Sequence, residues 1–467
     1  MTKRSPKDLR SFLAGLESYP GELFRVKRSV DPRLELTGVL RKLQEKGAFP
    51  ALLFEEVKGT HMPVLSNTLA SRSRLAIALE ADPGQLTMEY AKRQGDLMPV
   101  IQVEKAPVKE VRMKGTDVDL QKLPNITHCG GDGGPYISSG VVIMKDPGTG
   151  KYNAGIYRIQ IKGRNRLGIW PGAYSHGMQI IRANEREGRP TEVAIMIGHH
   201  PAVYMASQFR GPFEVDELEV AGGLVGEPLR VTRGETIDLN VPADAEIVIE
   251  GIIPPNVREA EGPFGEYTWY MGNEEITPVI EVSAITHRKD AIYYDINSAH
   301  PEHNLTGLLA REAMLYTRVK AVVPTVKAVT LPFSGTCRHT AYISIRKEYD
   351  GLGKNTALAA LAADPFMKLV IVVDDDIDVF NEAEVMWAVC TRVQADRDVF
   401  IVPDAYVCEL DPSAYSIKGR AERGSINAKW AIDATKPVDL PFQARADVPE
   451  AIWKNMRLED YLEGFLS

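Results

Sequence analysis

Cysteine is scarce in this chain. Cys129, Cys337, Cys390 and Cys408 stand far apart with no CxxC pair. That excludes a disulfide framework and a thiolate zinc site, and it fits a reducing cytoplasm. Long apolar runs are also missing: no stretch reaches the roughly 18 continuous apolar residues of a membrane span. The opening segment, MTKRSPKDLRSFLAGLESYP, has no apolar signal core. Basic runs are absent and the net charge is −8. This argues against nucleic acid or an anionic membrane surface as the main partner. There is no internal repeat and no low-complexity segment.

What the chain does have is the composition of a folded protein, 44% hydrophobic and 25% charged. At 467 residues it is too long for one core, so two or three domains are expected. Its patterning changes twice. In the first third, Leu9, Phe12, Leu13 and Leu16 follow i, i+3, i+4, i+7 and predict an amphipathic helix opened by Ser5-Pro6. A strand at ALLFEEV (51–57) and a helix near TMEYAKRQ (87–94) complete a small α/β unit. The middle third carries SSGVVIMKD, NAGIYRIQIKG, AEIVIEGII and TPVIEVSAITHRKDAIYYDIN. Val, Ile and Tyr between Gly, Pro and Asp turns predict an antiparallel barrel or sandwich. The last third returns to α/β, with a buried strand at KLVIVVDDD (368–376) and a helix at NEAEVMWAVCTRV (381–393). The end, PEAIWKNMRLEDYLEGFLS, predicts an amphipathic helix with Ile452, Met456, Tyr461, Leu462 and Phe465 on its apolar face.

Several motifs have simple structural readings. GTGK (148–151) sits between two strand-like runs and reads as a hairpin turn, and GLGKNT (351–356) lacks phosphate-loop spacing. The acids of DDDID (374–378) read as helix caps and loop residues. His199 and His200 would diverge on a strand. Two constellations carry chemistry. In EGPFGE, Glu261 and Glu266 bracket a short stiff turn; a lone pair of this kind is ordinarily solvated. Asn153, His176 and Glu217 offer an amide oxygen, an imidazole and a carboxylate, a hard donor set suited to Mn²⁺ or Mg²⁺. A histidine of this kind standing alone would read as structural.

The N-x-G-x-Y-R motif at Asn153–Arg158, DELEVAGGLVGEP and EGPFGE together resemble the UbiD family of prenylated-FMN-dependent decarboxylases, which includes ferulic acid decarboxylase. The likeness runs from GGDGGPYISSGVVI to the end of the chain. It implies an α/β domain (1–115), a central flavin-reductase-like split β-barrel binding prenyl-FMN (116–312), a second α/β domain (313–448) and a C-terminal oligomerisation helix (449–467). It implies that Asn153, His176 and Glu217 hold a divalent metal bridging to the cofactor phosphate. K⁺ would sit nearby on backbone oxygens at Ala206, Ser207 and Phe209. Ile156, Tyr157, Arg158, Ser175 and Lys429 would contact the cofactor. The family pattern has a glutamine where this chain has Ser175. By the same resemblance Arg158, Glu261 and Glu266 form the catalytic network, with Glu266 the proton donor, and Thr306 lines the substrate site. His300, His303 and Asn304 are polar candidates there or structural residues. A flavin prenyltransferase would supply the cofactor, and a homodimer or larger homo-oligomer is expected.

Strict strand alternation puts Asn153 and Arg158 on opposite faces, so both can meet one cofactor only through a bulge or bend, for which Gly155 is the expected place. Two other classes remain as alternatives: a flavin-binding accessory subunit without its own activity, and a metal-dependent hydrolase using the same ligands with Glu266 as base.

Overall fold

The computed structural model describes residues 6–173, 175–414 and 425–462. The first helix, Leu9–Leu16, buries Leu9, Phe12, Leu13 and Leu16 as its periodicity requires. It begins at Asp8 rather than Ser5-Pro6: the Asp8 side chain accepts the Ser11 N–H while the Ser11 hydroxyl accepts the Asp8 N–H. That capping box satisfies two donors which proline could not. A four-stranded sheet follows, in the order Leu23–Val26, Ala51–Phe54, Val64–Ser66, Tyr293–Tyr294. Its last strand arrives from far along the chain.

The β-rich middle forms a ten-stranded sheet whose ladders are antiparallel. The long strand Glu275–His287 is its spine, pairing with Arg166–Trp170, Ile247–Ile253, Arg258–Glu261 and Val111–Lys114. Along the main path, Tyr152–Ile156 closes one end and Arg158–Ile161 lies next to the other. Only Tyr157 separates these two strands in sequence. One residue spans at most about 7 Å between its neighbours, so the sheet must curl until its ends meet. The turn between Val141–Lys145 and Tyr152–Ile156 is the GTGK segment, where Asp146 accepts from the Thr149 N–H and hydroxyl. It is a hairpin.

The third sheet has the order Val326–Thr330, Thr340–Ile345, Leu369–Asp374, Ile426–Ala434, Val399–Tyr406, with parallel pairs at its centre. The helix Glu382–Arg392 follows Leu369–Asp374, as the pattern predicts. The acids at that strand's end are spent on cations: Asp374 and Asp376 pair with Arg392, and Asp376 also with Lys436. His199 and His200 are core residues that burial keeps neutral, their pKa values pushed down to about 4 and about 3.

The expected terminal helix is not continuous. Within the described residues the segment forms only Glu450–Trp453 and a 3-10 turn at Leu458–Asp460, and Phe465 lies outside them. Ile452, Trp453, Met456, Leu458, Tyr461 and Leu462 are all exposed. A short amphipathic helix draws its stability from the surface it docks on, and within a single chain this one has none.

One buried carboxylate ties the first third to the last. Glu312, on the helix Leu308–Val322, accepts from Arg72, the Thr87 and Thr330 hydroxyls and the Leu331 N–H. Replacing it leaves all of these unmet. Glu312→Ala is expected to lower the unfolding free energy by about 2–3 kcal/mol, under the range for a fully buried pair because Arg72 keeps contact with solvent. The denaturation midpoint is the measurement, and an unchanged midpoint would show that Arg72 finds another partner.

Candidate active site

A cavity of about 480 Å³ is lined from both the curled middle sheet and the last sheet's surroundings. The break at Tyr157 brings its walls together. Tyr152–Ile156 pairs with Val141–Lys145 in unbroken register, so Gly155 carries no bulge. The ladder ends at Ile156 and a new strand begins at Arg158, and the two fragments belong to different ends of the sheet. That is how Asn153 and Arg158 reach one cavity despite their odd spacing. Gly155 serves a different need: a Cβ there would lie 2.9 Å from the Tyr157 hydroxyl.

Two helix N-termini point their first residues into the same wall. Ser175 caps His176–Arg186 by accepting the Met178 N–H, which makes His176 the first helical residue. Asp216 caps Glu217–Val225 by accepting the Leu218 N–H, which makes Glu217 the first residue there. The DELEVAGG pattern explains the second placement. A Cβ on Gly223 would sit 2.5 Å from the Arg93 and Asp96 carbonyls, so only glycine lets this helix lie on that backbone. Glu217 Oε1 accepts from Asn153 Nδ2 at 3.0 Å and stands 3.6 Å from His176 Nδ1. Asn153 Oδ1 is buried and has no partner. An orphaned amide oxygen beside a buried carboxylate and an imidazole is a donor set waiting for a hard cation, and the residues fit a divalent metal. Among the described residues no cluster of three His, Cys, Asp or Glu side chains offers an alternative. Ser207 and Phe209 lie on the same wall. Ala206 does not, and its carbonyl accepts the Phe209 N–H at 2.9 Å.

Arg158 joins the two glutamates of EGPFGE. Its Nη2 donates to Glu261 at 2.7 Å and its Nη1 to Glu266 at 2.8 Å. The turn between them is mounted on the loop GGDGGPY. The Gly133 N–H and the Tyr136 hydroxyl donate to the Pro263 carbonyl, and Asp132 accepts the Gly265 N–H. Gly262 has φ +108°, and a Cβ there would lie 2.6 Å from the Asn273 carbonyl. Across the hairpin, a Cβ on Gly272 would meet Arg158 Nη1 at 2.9 Å. The glutamates differ in role by position. Glu266 lines the cavity, whereas Glu261 is fully buried behind Arg158. Burial raises both pKa values above the ordinary glutamate range, and Arg158 opposes it.

The remaining sequence candidates separate. Ile156, Tyr157, Ser175, Thr306 and His303 line the cavity. His303 is held neutral by burial, its pKa pushed down to about 3. His300 instead caps the helix Pro301–Thr306, accepting the Glu302 N–H. Asn304 is spent on structure, donating to the Tyr267 and Thr336 carbonyls and accepting from Trp269 Nε1. Lys429 stands behind the wall rather than on it, with Nζ donating to the Leu361 and Asp364 carbonyls.

Sequence reasoning missed the cationic end of the cavity. Arg210, Arg311 and Arg338 converge there from distant segments. Arg311 pairs with Asp364 at 2.6 Å, yet its Nε has no partner; Arg338 Nη1 has none either. Both arginines are buried. Arg338 lies 4.1 Å over the Tyr267 ring and Arg311 3.9 Å over Phe366. Arg210 is exposed and lines the cavity, and proximity to Arg311 pushes its pKa down to about 10. For Arg338 burial comes first, then Arg311, and its pKa also falls to about 10. Three cations against one carboxylate is an uncompensated positive site.

The comparisons with known proteins agree on one family. Family models of 3-octaprenyl-4-hydroxybenzoate carboxy-lyase match in order: the N-terminal domain at residues 16–94, the Rift-related domain at 99–301 and the C-terminal domain at 304–434. The chain is 35% identical to anhydromevalonate phosphate decarboxylase of Methanothermobacter thermautotrophicus, covering 92% of this chain and 97% of that protein. The UbiD-class enzyme HmfF of Pelotomaculum thermopropionicum, solved in complex with FMN, superposes with a TM-score of 0.91 at 43% identity over 97% of this chain and 100% of that one. Vanillic acid decarboxylase of Sedimentibacter hydroxybenzoicus superposes in its closed form with a TM-score of 0.84 at 32% identity, covering 96% of each chain. The chain belongs to the UbiD family of carboxy-lyases.

Proposed function

We propose that this protein is a prenylated-FMN-dependent decarboxylase acting reversibly and without net oxidation on an aromatic, heteroaromatic or α,β-unsaturated carboxylic acid. The observation that carries this reading is Glu266: a carboxyl whose pKa burial raises, fixed by Arg158 on the wall of a cavity that also holds Asn153, His176 and Glu217. Prenylated FMN, when bound, supplies the electron sink for loss of carbon dioxide. The chain's own residues do the rest. Asn153, His176 and Glu217 would hold Mn²⁺ or Mg²⁺, which would supply positive charge to anchor an anionic cofactor, and the N-terminus of His176–Arg186 adds its dipole. Carbonyl oxygens near Ser207 and Phe209, with Ala206 adjacent, would hold K⁺ together with Glu217. Ile156, Tyr157 and Ser175 contact the cofactor. Lys429 positions the 361–364 segment whose Asp364 orients Arg311. Glu266 delivers the proton that replaces carbon dioxide on the product carbon, and Arg158, balanced by Glu261, orients it. Thr306 lines the substrate.

The cationic end of the cavity defines the substrate further. Buried guanidinium N–H groups without partners favour a second anionic group on the acid, a carboxylate or a phosphate. The related anhydromevalonate phosphate decarboxylase is named for a phosphorylated substrate. In the same reading the chain divides at residues 115, 312 and 448 into an α/β domain, a flavin-reductase-like split barrel, a second α/β domain and a terminal segment. The exposed apolar residues of that terminal segment dock on another subunit of a homodimer or larger oligomer. A flavin prenyltransferase supplies the cofactor.

Four outcomes follow from these roles. Glu266→Gln keeps shape but removes the transferable proton, so turnover falls by about 10²–10⁴-fold while cofactor and metal still bind. Because the acid form of Glu266 is the working form, wild-type kcat declines as pH rises through its elevated pKa. A near wild-type rate in the cofactor-loaded variant would assign the proton to another residue. His176→Ala removes a metal ligand, and flavin occupancy measured by absorbance at matched Mn²⁺ should drop with metal content; equal occupancy would refute the metal bridge. Arg338→Leu should lower kcat/KM for dicarboxylate or phosphorylated acids by about 10–100-fold and spare their monocarboxylate analogues. Equal losses would make Arg338 structural, and the carboxylate and phosphate panels tell the two anion types apart.

A further inference from the structure

A second cavity, of about 760 Å³, adjoins the first and shares Arg158, Trp170, Glu266, Glu409 and Leu410 with it. Its rim carries Tyr270, Met271 and Ile276, all exposed, so it opens to solvent. Of the acids on the two sets of walls, Glu266 and Glu409 are the two common to both. Glu266 itself is only 5% exposed.

Decarboxylation consumes a proton: R–COO⁻ plus H⁺ becomes R–H plus CO₂. If Glu266 supplies that proton, it is left as a carboxylate paired with Arg158 and must be reprotonated before the next cycle. The first cavity is the space for cofactor and substrate. Solvent protons reach the shared wall through the second cavity, whose rim is exposed.

Glu409 stands at that junction, half-buried in the segment following Val399–Tyr406. The Ala173 N–H donates to its carboxylate, and Oε1 would lie in ordinary contact, 3.6 Å, with a Cβ added at Gly172, which places the carboxylate against this loop. Of the charged groups, Glu275 and Arg158 act on it electrostatically, and Arg182, Glu185, Arg258 and Glu266 line the second cavity with it. Burial, reinforced by Glu275, raises its pKa, so it carries a proton at higher pH than a free glutamate.

We propose that Glu409 is the proton relay between solvent in the second cavity and Glu266. Its carboxyl passes a proton, through water, to the Glu266 carboxylate and regains one from solvent, with no change in redox state; in the carboxylation direction the proton runs outward. Glu409 acts through Glu266 rather than on the substrate. The proposal rests on Glu266 being the proton donor.

The test uses the holoenzyme with an unsaturated or aromatic acid that turns over. In Glu409→Gln the first turnover, read by rapid quench, proceeds at the wild-type rate. Steady-state kcat falls by about tenfold or more, becomes dependent on the concentration of a small buffer acid such as imidazolium, and shows a larger solvent deuterium effect. Glu409→Asp recovers part of the loss. In the cofactor-free protein, the infrared carboxyl band that disappears in Glu266→Gln takes up deuterium more slowly after mixing with D₂O when Glu409 is Gln. Unchanged kcat and unchanged exchange overturn the relay, and so does an equal loss in first and later turnovers without buffer rescue, which would mark Glu409 as structural. An active, cofactor-loaded Glu266→Gln would overturn the donor assignment instead, so the two failures are distinguishable.

Discussion

The site depends on one constraint of chain connectivity. Tyr157 alone joins a strand at one end of the middle sheet to a strand at the other, and the sheet cannot be flat if one residue is to span that gap. Curling stacks the two ends against each other, and the inward faces of two separate ladders become one wall. Asn153, on one ladder, faces Glu217, and Arg158, on the other, faces the Glu261–Glu266 turn. The local glycines serve this joint: Gly155 and Gly177 leave room for the Tyr157 ring and hydroxyl.

The second organising effect is the balance between burial and pairing. Desolvation alone would leave both glutamates of the turn neutral, and Arg158 alone would ionise both. Placing Glu261 fully behind Arg158, with two contacts from the guanidinium, and Glu266 at the cavity with one, divides the pair unequally. Arg158 is therefore already neutralised on its inner side, which leaves burial to raise the pKa of Glu266. The cavity also carries a cluster of the reverse polarity, Arg210, Arg311 and Arg338 beside a single carboxylate, with Arg338 over the ring of Tyr267, the residue next to Glu266. An acid entering the cavity would be oriented by charge before any specific contact was made.

Much of this was legible in the chain because the informative residues are local. EGPFGE encodes a turn, two acids and the glycine that its φ demands within six residues. N-x-G-x-Y-R encodes the strand break together with the residues on both sides of it. DELEVAGG encodes a cap, a buried acid and the glycines for close helix packing. Periodicity found the first helix, the buried strand Leu369–Asp374 and the antiparallel character of the middle third.

What the sequence by itself determined, then, was every element whose driving pattern lies within a few residues. The tertiary structure decided the rest. The cationic cluster joins residues 210, 311 and 338, no two of them near in sequence, and each reads alone as a solvated arginine. Lys429 resembles a phosphate ligand by motif, but its strand register turns it toward the Leu361 and Asp364 carbonyls. Asn304 and His300 read equally as substrate contacts or structural residues, and tertiary structure sets both to structure, Asn304 on the Tyr267 and Thr336 carbonyls and His300 as a helix cap. The bend assigned to Gly155 belongs to Tyr157, because the interruption comes from which strands pair and not from which residue is most flexible. The terminal segment has the periodicity of a helix without, in one chain, the apolar surface that would make it one. In each case the deciding interaction is between groups far apart in sequence, and no local pattern carries it.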